Sequence, residues 1–289
     1  RLDEKRIHHY AKVENELVEC PMSWAQTFLY LQSRRQRFCL RLGKDDVRER
    51  VSSNKNSFAT MLRSISNSPF PEDPAQSPKM MRVIRELASG ESENLRQLVY
   101  SSRRDTGIDA LLSLWKSRTR SVKRVFRVDG SMAEADRALN INGFNRAVRA
   151  SVLFITDAGS QGIDCKRVDV VHILEPSENL QEERQTVNRA VRYKAHTCRK
   201  DPTVLVKRYI STFPTSASVH PPWKKVIYAS GLFARDEMRG ITRTVQYALK
   251  DLIRTEEDGQ TVDERTLQLR EVRDARIQAA LQVLQKCDM

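Results

Sequence analysis

The chain has 289 residues, of which 30 % are charged and 39 % hydrophobic, and its formal net charge is +13. This length can bury one large core or two modest ones. The basic excess favours a partner with many negative charges, such as nucleic acid, over the alternative that Lys and Arg only keep helix surfaces solvated. The sequence has no apolar run long enough to span a membrane and no signal peptide, so we expect no membrane association and no secretion.

Cysteine usage and the first residue bear on the setting of the chain. The five cysteines are scattered and never have CxxC spacing, which argues against a disulfide framework or a zinc site. We therefore expect reduced thiols in an intracellular protein. Because the chain opens at Arg1 and not at Met, we also expect it to be part of a longer protein.

The first part of the chain, to about residue 90, is predicted to be helical. Trp24, Phe28 and Leu31 recur at helical spacing, and a second short helix is predicted around Phe58 and Ile65. The proline-containing stretch 66–74 cannot continue that helix and predicts a loop. A new helix is then predicted to begin at Pro78, with proline at its first position.

Between residues 96 and 211 the pattern changes to alternating strands and helices. Strands are predicted at Gln97–Ser101, Arg124–Val128, Ser151–Thr156, Val168–Leu174 and Thr203–Ile210, and helices at Gly107–Lys116, Met132–Phe144 and Leu180–Tyr193. The apolar runs suit strands buried between helical layers, which predicts an α/β fold with a mostly parallel sheet flanked by helices. Ligands of such sheets bind at the carboxyl ends of the strands.

Beyond residue 212 the sequence predicts a connection and then further helices, the last a charged helix from about Val262 to Lys286. That helix could pack on the domain, contact another subunit or lie along a partner, and the sequence leaves the three open. The predicted organisation is a helical N-terminal segment at 1–76, an α/β domain at 77–211 and a helical C-terminal extension at 212–289.

Two segments of the α/β region carry the chemistry. Ile155–Asp164 is predicted to be a strand that runs into a glycine-containing turn. Gln185, Arg189 and Arg192 follow at i, i+4 and i+7, which places them on one stripe of a helix. An amide beside two guanidinium groups is suited to gripping phosphate oxygens presented by a second protein surface. The competing interpretation of the two arginines is a solvated helix face.

Five segments in chain order carry a resemblance to a known family. They are Ser77–Met81, Leu98–Ser102, Phe126–Ser131 with Arg137, Phe144 and Asn145, Thr156–Asp164, and Gln185, Arg189 and Arg192 followed by Tyr193–His196. They resemble the opening helix, motif IV, the strand-turn-helix after it, motif V and motif VI of the second RecA-like lobe of superfamily-2 helicases and translocases. The resemblance is closest to the chromatin-remodeller-like group and to the poxvirus-type early transcription factor and nucleoside triphosphatase of large DNA viruses.

The resemblance implies a RecA-like sheet and a role for each residue at the ATP. Arg189 and Arg192 would reach the β- and γ-phosphates of ATP on a first lobe, with Arg192 as the arginine finger. Gln185 would lie at the same interface. Gly162 and Asp164 would approach the ribose and motif VI.

The resemblance also implies contacts with nucleic acid, for which DNA is favoured over RNA. Thr156, Ser101 and Gly130 would contact the nucleic-acid backbone through hydroxyl groups or main-chain amides, without sequence preference. For Thr156 and Ser101, ordinary capping of a strand end is an almost equally good interpretation. The C-terminal helices could contact transcription or virion proteins.

The chain departs from the family pattern at two positions and lacks one half of the ATP site. Asn188 stands where the family usually has Gly, and Gln161 where it often has Glu. No GxxxxGK[ST] phosphate loop is present, so the first lobe, which would hold ATP and Mg²⁺, lies outside this chain. The chain alone is therefore not expected to hydrolyse ATP.

Two functions remain open at this point. One is the C-terminal lobe of an ATP-dependent helicase or translocase of a large DNA virus. The other is a catalytically silent helicase-derived module for nucleic-acid binding or assembly in a virion or transcription complex. His172 and Trp115 are expected to be core residues in either case.

Overall fold

The computed structural model describes residues 10–23, 26–27, 29–30, 33, 55–70, 73–118, 124–157, 163–177, 180–192, 195–196, 202–214, 260–272 and 275. Its strands are β1 Lys12–Pro21, β2 Arg96–Tyr100, β3 Arg124–Val128, β4 Ser151–Ile155, β5 Val170–Ile173 and β6 Thr203–Thr212. Its helices are α1 Lys55–Asn67, α2 Pro78–Ser92, α3 Ala110–Arg118, α4 Glu134–Arg146, α5 Leu180–Ala190 and α6 262–272. A 3₁₀ turn, Pro74–Gln76, precedes α2, and a π-helical turn, Arg104–Asp109, leads into α3.

The six described strands form one parallel sheet in the order β1-β6-β5-β2-β4-β3. The four strands β2 to β5 are short, and three of them (β2, β4 and β5) are buried along their whole length. All carboxyl ends therefore lie at one edge of the sheet, which is where an α/β fold binds its ligands.

Helices cover both faces of the sheet because side chains alternate along each buried strand. On one face, Leu98 and Tyr100 of β2 belong to a core that includes Phe144 of α4 and Val187 of α5. On the other face, the core around Val99 includes side chains of α2 and α3. Period-2 alternation with apolar residues on both sides is the pattern of a strand buried between two helical layers.

The predicted α/β fold is confirmed, and the strands from 96 to 211 lie where the apolar runs placed them, to within a few residues. The prediction of only helices before residue 77 is wrong for β1. That strand pairs in parallel with β6, from Lys12 opposite Thr203 to Pro21 opposite Thr212. Its sequence, KVENELVECP, is mostly polar because it is an edge strand of the sheet, where one flank faces no further strand.

A buried ammonium group joins three parts of the chain at the carboxyl edge of the sheet. Lys79 of α2 is 1 % exposed, and its Nζ lies 2.7 Å from Asp263 Oδ2 of α6 and 3.2 Å from Asn67 Oδ1 of α1. The Ser211 amide at the end of β6 also donates to Asp263, at 2.9 Å. A buried charge of this kind is tolerated only where it is paired and hydrogen-bonded. The pair therefore holds α1, α2, α6 and β6 together.

The described helices do not include one that is long and apolar enough to cross a membrane.

Replacing Lys79 with Met should lower the free energy of unfolding of this chain by about 3–5 kcal/mol, because Asp263 would remain buried without its cation. Urea unfolding followed by circular dichroism measures this. The matched control is Lys12→Ala, which removes an exposed ion pair with Glu14 and should cost less than about 1 kcal/mol. Equal losses in the two variants would contradict a structural role for the buried pair.

Candidate functional site

A pocket of about 310 Å³ opens at the carboxyl ends of β2, β3 and β4. It is lined by Ser102, Arg104, Asp129, Gly130, Ser131, Thr156 and Asp157. These residues come from three separate loops that the parallel sheet brings to one edge. Two of the three residues predicted to contact nucleic acid, Thr156 and Gly130, line this pocket.

The turn after β3 is built on the Asp129 carboxylate. Asp129 Oδ1 accepts hydrogen bonds from the Ser131 amide at 2.8 Å and from the Ser131 hydroxyl at 2.5 Å, while Arg127 donates to Oδ2. Burial alone would raise the pKa of this carboxyl, but the bonds from Ser131 and Arg127 outweigh burial and lower the pKa. The carboxylate thus holds Gly130 and Ser131 exposed at the mouth of the pocket.

The loop after β2 is held by a buried carboxylate that follows β5. Glu175 is 1 % exposed and accepts hydrogen bonds from the Ser101 hydroxyl at 2.8 Å and the Ser102 amide at 2.5 Å. It also accepts one from the side-chain Nδ2 of Asn67 at 2.8 Å. This carboxylate thereby fixes the backbone that presents Ser102 and Arg104 to the pocket.

Ser101 itself faces inward. Its hydroxyl is buried against Glu175, and a Cβ atom built on Gly107 would lie 2.9 Å from Ser101 Cβ, so only glycine allows the π-helical turn to pack this closely. In this structure Ser101 shapes the loop, and the neighbouring Ser102 is exposed while its hydroxyl donates to Glu175 at 2.9 Å. The contact predicted for Ser101 with nucleic acid stays a prediction.

A second set of residues surrounds α5. Arg189 is 9 % exposed, and its Nη1 donates to the carbonyl oxygen of Ile163 at 3.4 Å. Within the described part of the chain, Arg189 Nε is buried and has no hydrogen-bond partner. Burial, and then the nearby positive charge of Arg192, lower the pKa of the Arg189 guanidinium. An anion at this position would satisfy the unpaired donor and relieve the repulsion between the two arginines.

Arg192 lies two residues beyond the end of α5 and is half exposed. Its Nη1 is 4.0 Å from Asp164 Oδ1, so the acidic residue of the predicted motif V faces the last arginine of motif VI. Asn145, at the end of α4, holds this loop from the other side. Its side-chain Nδ2 donates to the Asp164 carbonyl at 2.8 Å, and its side-chain Oδ1 accepts from the Lys166 backbone amide at 2.8 Å.

Hydrogen bonds among the described residues connect Arg192, Ala195 and His196 to their surroundings. The Ala195 amide donates to the Arg192 carbonyl at 3.0 Å, and the Arg167 amide donates to the Ala195 carbonyl at 3.1 Å. His196 Nε2 lies 2.9 Å from the Ala190 carbonyl at the end of α5. Arg167 has φ of 58°, a left-handed conformation that costs a non-glycine residue energy and is retained where the surroundings impose it.

The structure brings most of the predicted site residues into two groups, one at the pocket described above and one beside α5. Arg189, Arg192 and Asp164 lie together beside α5, and Gln185 is exposed one turn before Arg189. Arg192 does not lie on the helical stripe, because α5 ends at Ala190. Gly162, like Gln161, lies outside the described residues.

Sequence reasoning missed several residues that build the site. Glu175, Asn67 and Arg104 have no signal of their own in the sequence, although Glu175 lies two residues after a buried strand, where α/β folds place functional groups. Glu175, Asn67 and Asn145 each bond to a segment distant in sequence, and the apolar pattern carries no signal for such a contact.

Other candidates behave as expected of core residues. His172 is buried and bonded on both ring nitrogens, Nδ1 to the Tyr209 hydroxyl at 2.8 Å and Nε2 to Gln97 Oε1 at 3.1 Å. Trp115 is buried in the core beneath α2 and α3. Among the described residues no group of three or more His, Cys, Asp or Glu could hold a metal ion.

Comparison with known families settles what this arrangement belongs to. Residues 78–194, which contain every site residue named above except Asn67, Ala195 and His196, match the model of the helicase conserved C-terminal domain. This region is similar to the C-terminal lobe of superfamily-2 helicases. The chain is also 28 % identical, over 165 residues, to a predicted ATP-dependent RNA helicase of Acanthamoeba polyphaga mimivirus. That match covers 56 % of this chain and 35 % of the relative, so the chain spans about a third of the relative's length.

Solved structures share the fold of the helicase lobe at low sequence identity. The C-terminal part of the Fun30 ATPase domain superimposes with a TM-score of 0.58 at 16 % identity, covering 85 % of this chain and 99 % of that one. The Sulfolobus solfataricus SWI2/SNF2 ATPase core in complex with double-stranded DNA gives 0.52 at 16 % identity, covering 84 % of this chain and 48 % of that one. The RecA-like fold of the second lobe is thereby confirmed.

The Asp129 turn should make stability depend on acid pH. Its pKa lies below the ordinary value near 4, so its stabilising effect is present above about pH 4 and is lost as the pH falls through the folded-state value. Asp129→Asn should therefore be less stable than the unmodified chain at about pH 6, with the gap narrowing towards about pH 3. Urea unfolding at both pH values measures the gap. Asp136→Asn, at an exposed position of α4, is the control, and a gap that is constant with pH would contradict the assignment.

Proposed function

We propose that this lobe is one half of a nucleic-acid-dependent ATPase, a helicase or translocase, and that Arg192 is its arginine finger. The observation that carries the proposal is the pair of arginines at the end of α5. Arg189 is turned inward to the Ile163 carbonyl, while Arg192 is half exposed beside Asp164. Such a pair presents concentrated positive charge at the edge of the lobe.

The electrostatics of the pair favour a phosphate ligand. The two guanidinium groups repel each other, and the Arg189 side chain keeps a buried donor that no described residue satisfies. A polyphosphate chain supplies several anionic oxygens and matches the planar fork of arginine. We infer that Arg189 orients against the phosphates while Arg192 stabilises the charge that develops in the transition state.

ATP and Mg²⁺ would be held mainly by a first RecA-like lobe that this chain does not contain. The described residues that would face the outer side of a bound triphosphate are Gln185, Arg189, Arg192 and, near the ribose, Asp164. The ribose contact of Gly162, which lies outside the described residues, stays a prediction. Bound Mg²⁺ would neutralise phosphate charge. The contribution of this chain would be to close over the triphosphate, exclude water and complete its charge balance.

The pocket at the ends of β2, β3 and β4 supports a contact with the nucleic-acid backbone. Its exposed groups include Gly130 and the Arg104 guanidinium, which suit phosphate oxygens. The Ser102 and Ser131 hydroxyls donate to Glu175 and Asp129, so each would have to exchange that bond to donate to a phosphate. We therefore propose sequence-independent binding, with DNA as the favoured substrate and a viral transcription or genome-handling protein as the setting.

The departure from the family pattern at Asn188 does not count against activity on packing grounds. Asn188 is exposed on α5, so its side chain displaces nothing in the core of this lobe. The rival function, a silent binding module, would leave the inward Arg189 and outward Arg192 without use. For that reason the catalytic proposal is preferred.

Mutation of Arg192 to Ala should lower ATP turnover by about 10³-fold or more in the parent protein that contains both lobes. Nucleic-acid binding should remain nearly intact, because Arg192 does not line the pocket. The measurement is steady-state turnover with and without single-stranded DNA, double-stranded DNA and RNA, with this chain alone as a further control. Arg184→Ala, an exposed position on the same helix, is the matched variant and should retain turnover.

Two outcomes would overturn the proposal. Unchanged turnover in Arg192→Ala would remove the arginine-finger role. Absence of turnover in the unmodified parent, with salt-sensitive nucleic-acid binding retained, would establish the silent binding module instead.

Mutation of Arg104 to Ala should weaken nucleic-acid binding about equally for all sequences and reduce the salt slope of the binding constant by about 1, because one phosphate contact is lost. Fluorescence anisotropy across a range of salt concentrations measures the slope. Lys116→Ala, exposed near the far end of α3, removes the same charge outside the pocket and serves as the control. An identical slope change in both variants would mean that only net charge matters, which contradicts a localised interface.

A further inference from the structure

The C-terminal helix α6 is firmly placed at its first turn. Thr261 and Glu264 form a reciprocal capping box, in which the Glu264 amide donates to Thr261 Oγ1 at 3.3 Å and the Thr261 amide to Glu264 Oε2 at 2.7 Å. The Thr261 hydroxyl also donates to the Ser211 carbonyl, and Asp263 holds Lys79. The beginning of α6 is therefore attached to the carboxyl end of β6 and to α2.

About two turns further along the same helix, Arg270 contacts the helix that leads to the arginines. Arg270 Nη1 donates to Glu183 Oε2 of α5 at 2.5 Å, and its Nη2 donates to Oε1 at 3.4 Å. Arg208 of β6 donates through Nε to the same Oε1 at 2.6 Å. Glu183 is 1 % exposed, so its carboxylate depends on these two guanidinium groups for its charge balance.

The chain reaches across the lobe to supply this contact. Glu183 precedes Arg189 by six residues on α5, and Arg270 comes 58 residues after the end of β6 (270 − 212). Arg208 binds Glu183 from the sheet below, whereas Arg270 binds it from a separate helix. With donors on both sides, the start of α5 can neither rotate nor slide without leaving a buried carboxylate partly unpaired.

We propose that α6 positions α5 for phosphate contact, and that Arg270 is a positioning residue for the arginines that follow Glu183. The proposal rests on the proposed ATPase function and adds the C-terminal segment to its machinery. A displacement of about 1 Å in a group that stabilises a transition state can reduce the rate by up to about 10²-fold while leaving ground-state binding almost unchanged. Loss of Arg270 should therefore appear in kcat and not in KM.

The first experiment compares three variants of the parent protein that contains both lobes. Arg270→Ala should lower kcat by about tenfold, with KM for ATP and Kd for DNA within about twofold of the unmodified protein. Arg270→Lys keeps the positive charge but lacks the planar guanidinium. Its kcat should be at least about threefold higher than that of Arg270→Ala. Lys207→Met is the matched control and should retain kcat. Its ammonium also lies on β6 and forms a partly buried ion pair, 2.7 Å from Glu86, but it faces α2 and not α5.

The second experiment needs no ATP turnover and uses this chain alone. Hydrogen exchange of the α5 amides should be faster in Arg270→Ala than in the unmodified chain, and unchanged in Lys207→Met. The two experiments separate the two proposals. If the unmodified parent does not hydrolyse ATP, the ATPase function fails, while the exchange rates still decide whether Arg270 positions α5. Unchanged exchange in α5, or a kcat loss in Lys207→Met equal to that in Arg270→Ala, would overturn the positioning role.

Discussion

The ion pair between Lys79 and Asp263 is the constraint on which the arrangement of this lobe depends. An ammonium group with 1 % exposure must have an anion beside it, and that anion comes from a helix 184 residues later in the chain. Asn67 extends the same network, because its side chain accepts from Lys79 and donates to Glu175. A single buried charge thus joins segments from both ends of the chain to the carboxyl edge of the sheet.

Two buried carboxylates, Glu175 and Glu183, each fix a different part of this lobe. The hydrogen-bond partners of Glu175 are neutral groups. They are backbone amides and hydroxyls of the loop after β2 and the side-chain amide of Asn67. Glu183 is instead held by Arg208 and Arg270, and it lies on the helix that leads to Arg189 and Arg192. Each carboxylate positions a different surface, the pocket proposed for nucleic acid in one case and the arginine pair in the other. Because loss of a partner would leave a buried carboxylate partly unpaired, which costs free energy, both surfaces are preorganised.

The arginine pair keeps a donor that the lobe itself does not satisfy. Arg189 is buried with an unpaired Nε among the described residues and a lowered pKa, and Arg192 stands half exposed near Asp164. The proposed complement of this pair is an anion presented by another surface. The fold is shared with known SWI2/SNF2 ATPase structures, and residues 78–194 match a helicase C-terminal domain.

The sequence by itself determined the α/β class, the strands from β2 to β6 and the candidate arginines, because buried parallel strands leave apolar runs and phosphate chemistry requires guanidinium groups. It did not reveal β1, whose polar residues form a strand only because the edge of β6 is available for pairing. Only the tertiary structure showed that Ser101 faces Glu175, that Arg192 lies beyond the end of α5, and that Arg270 reaches Glu183. These contacts join residues far apart in sequence, and local periodicity carries no information about which distant partner a buried charge will meet.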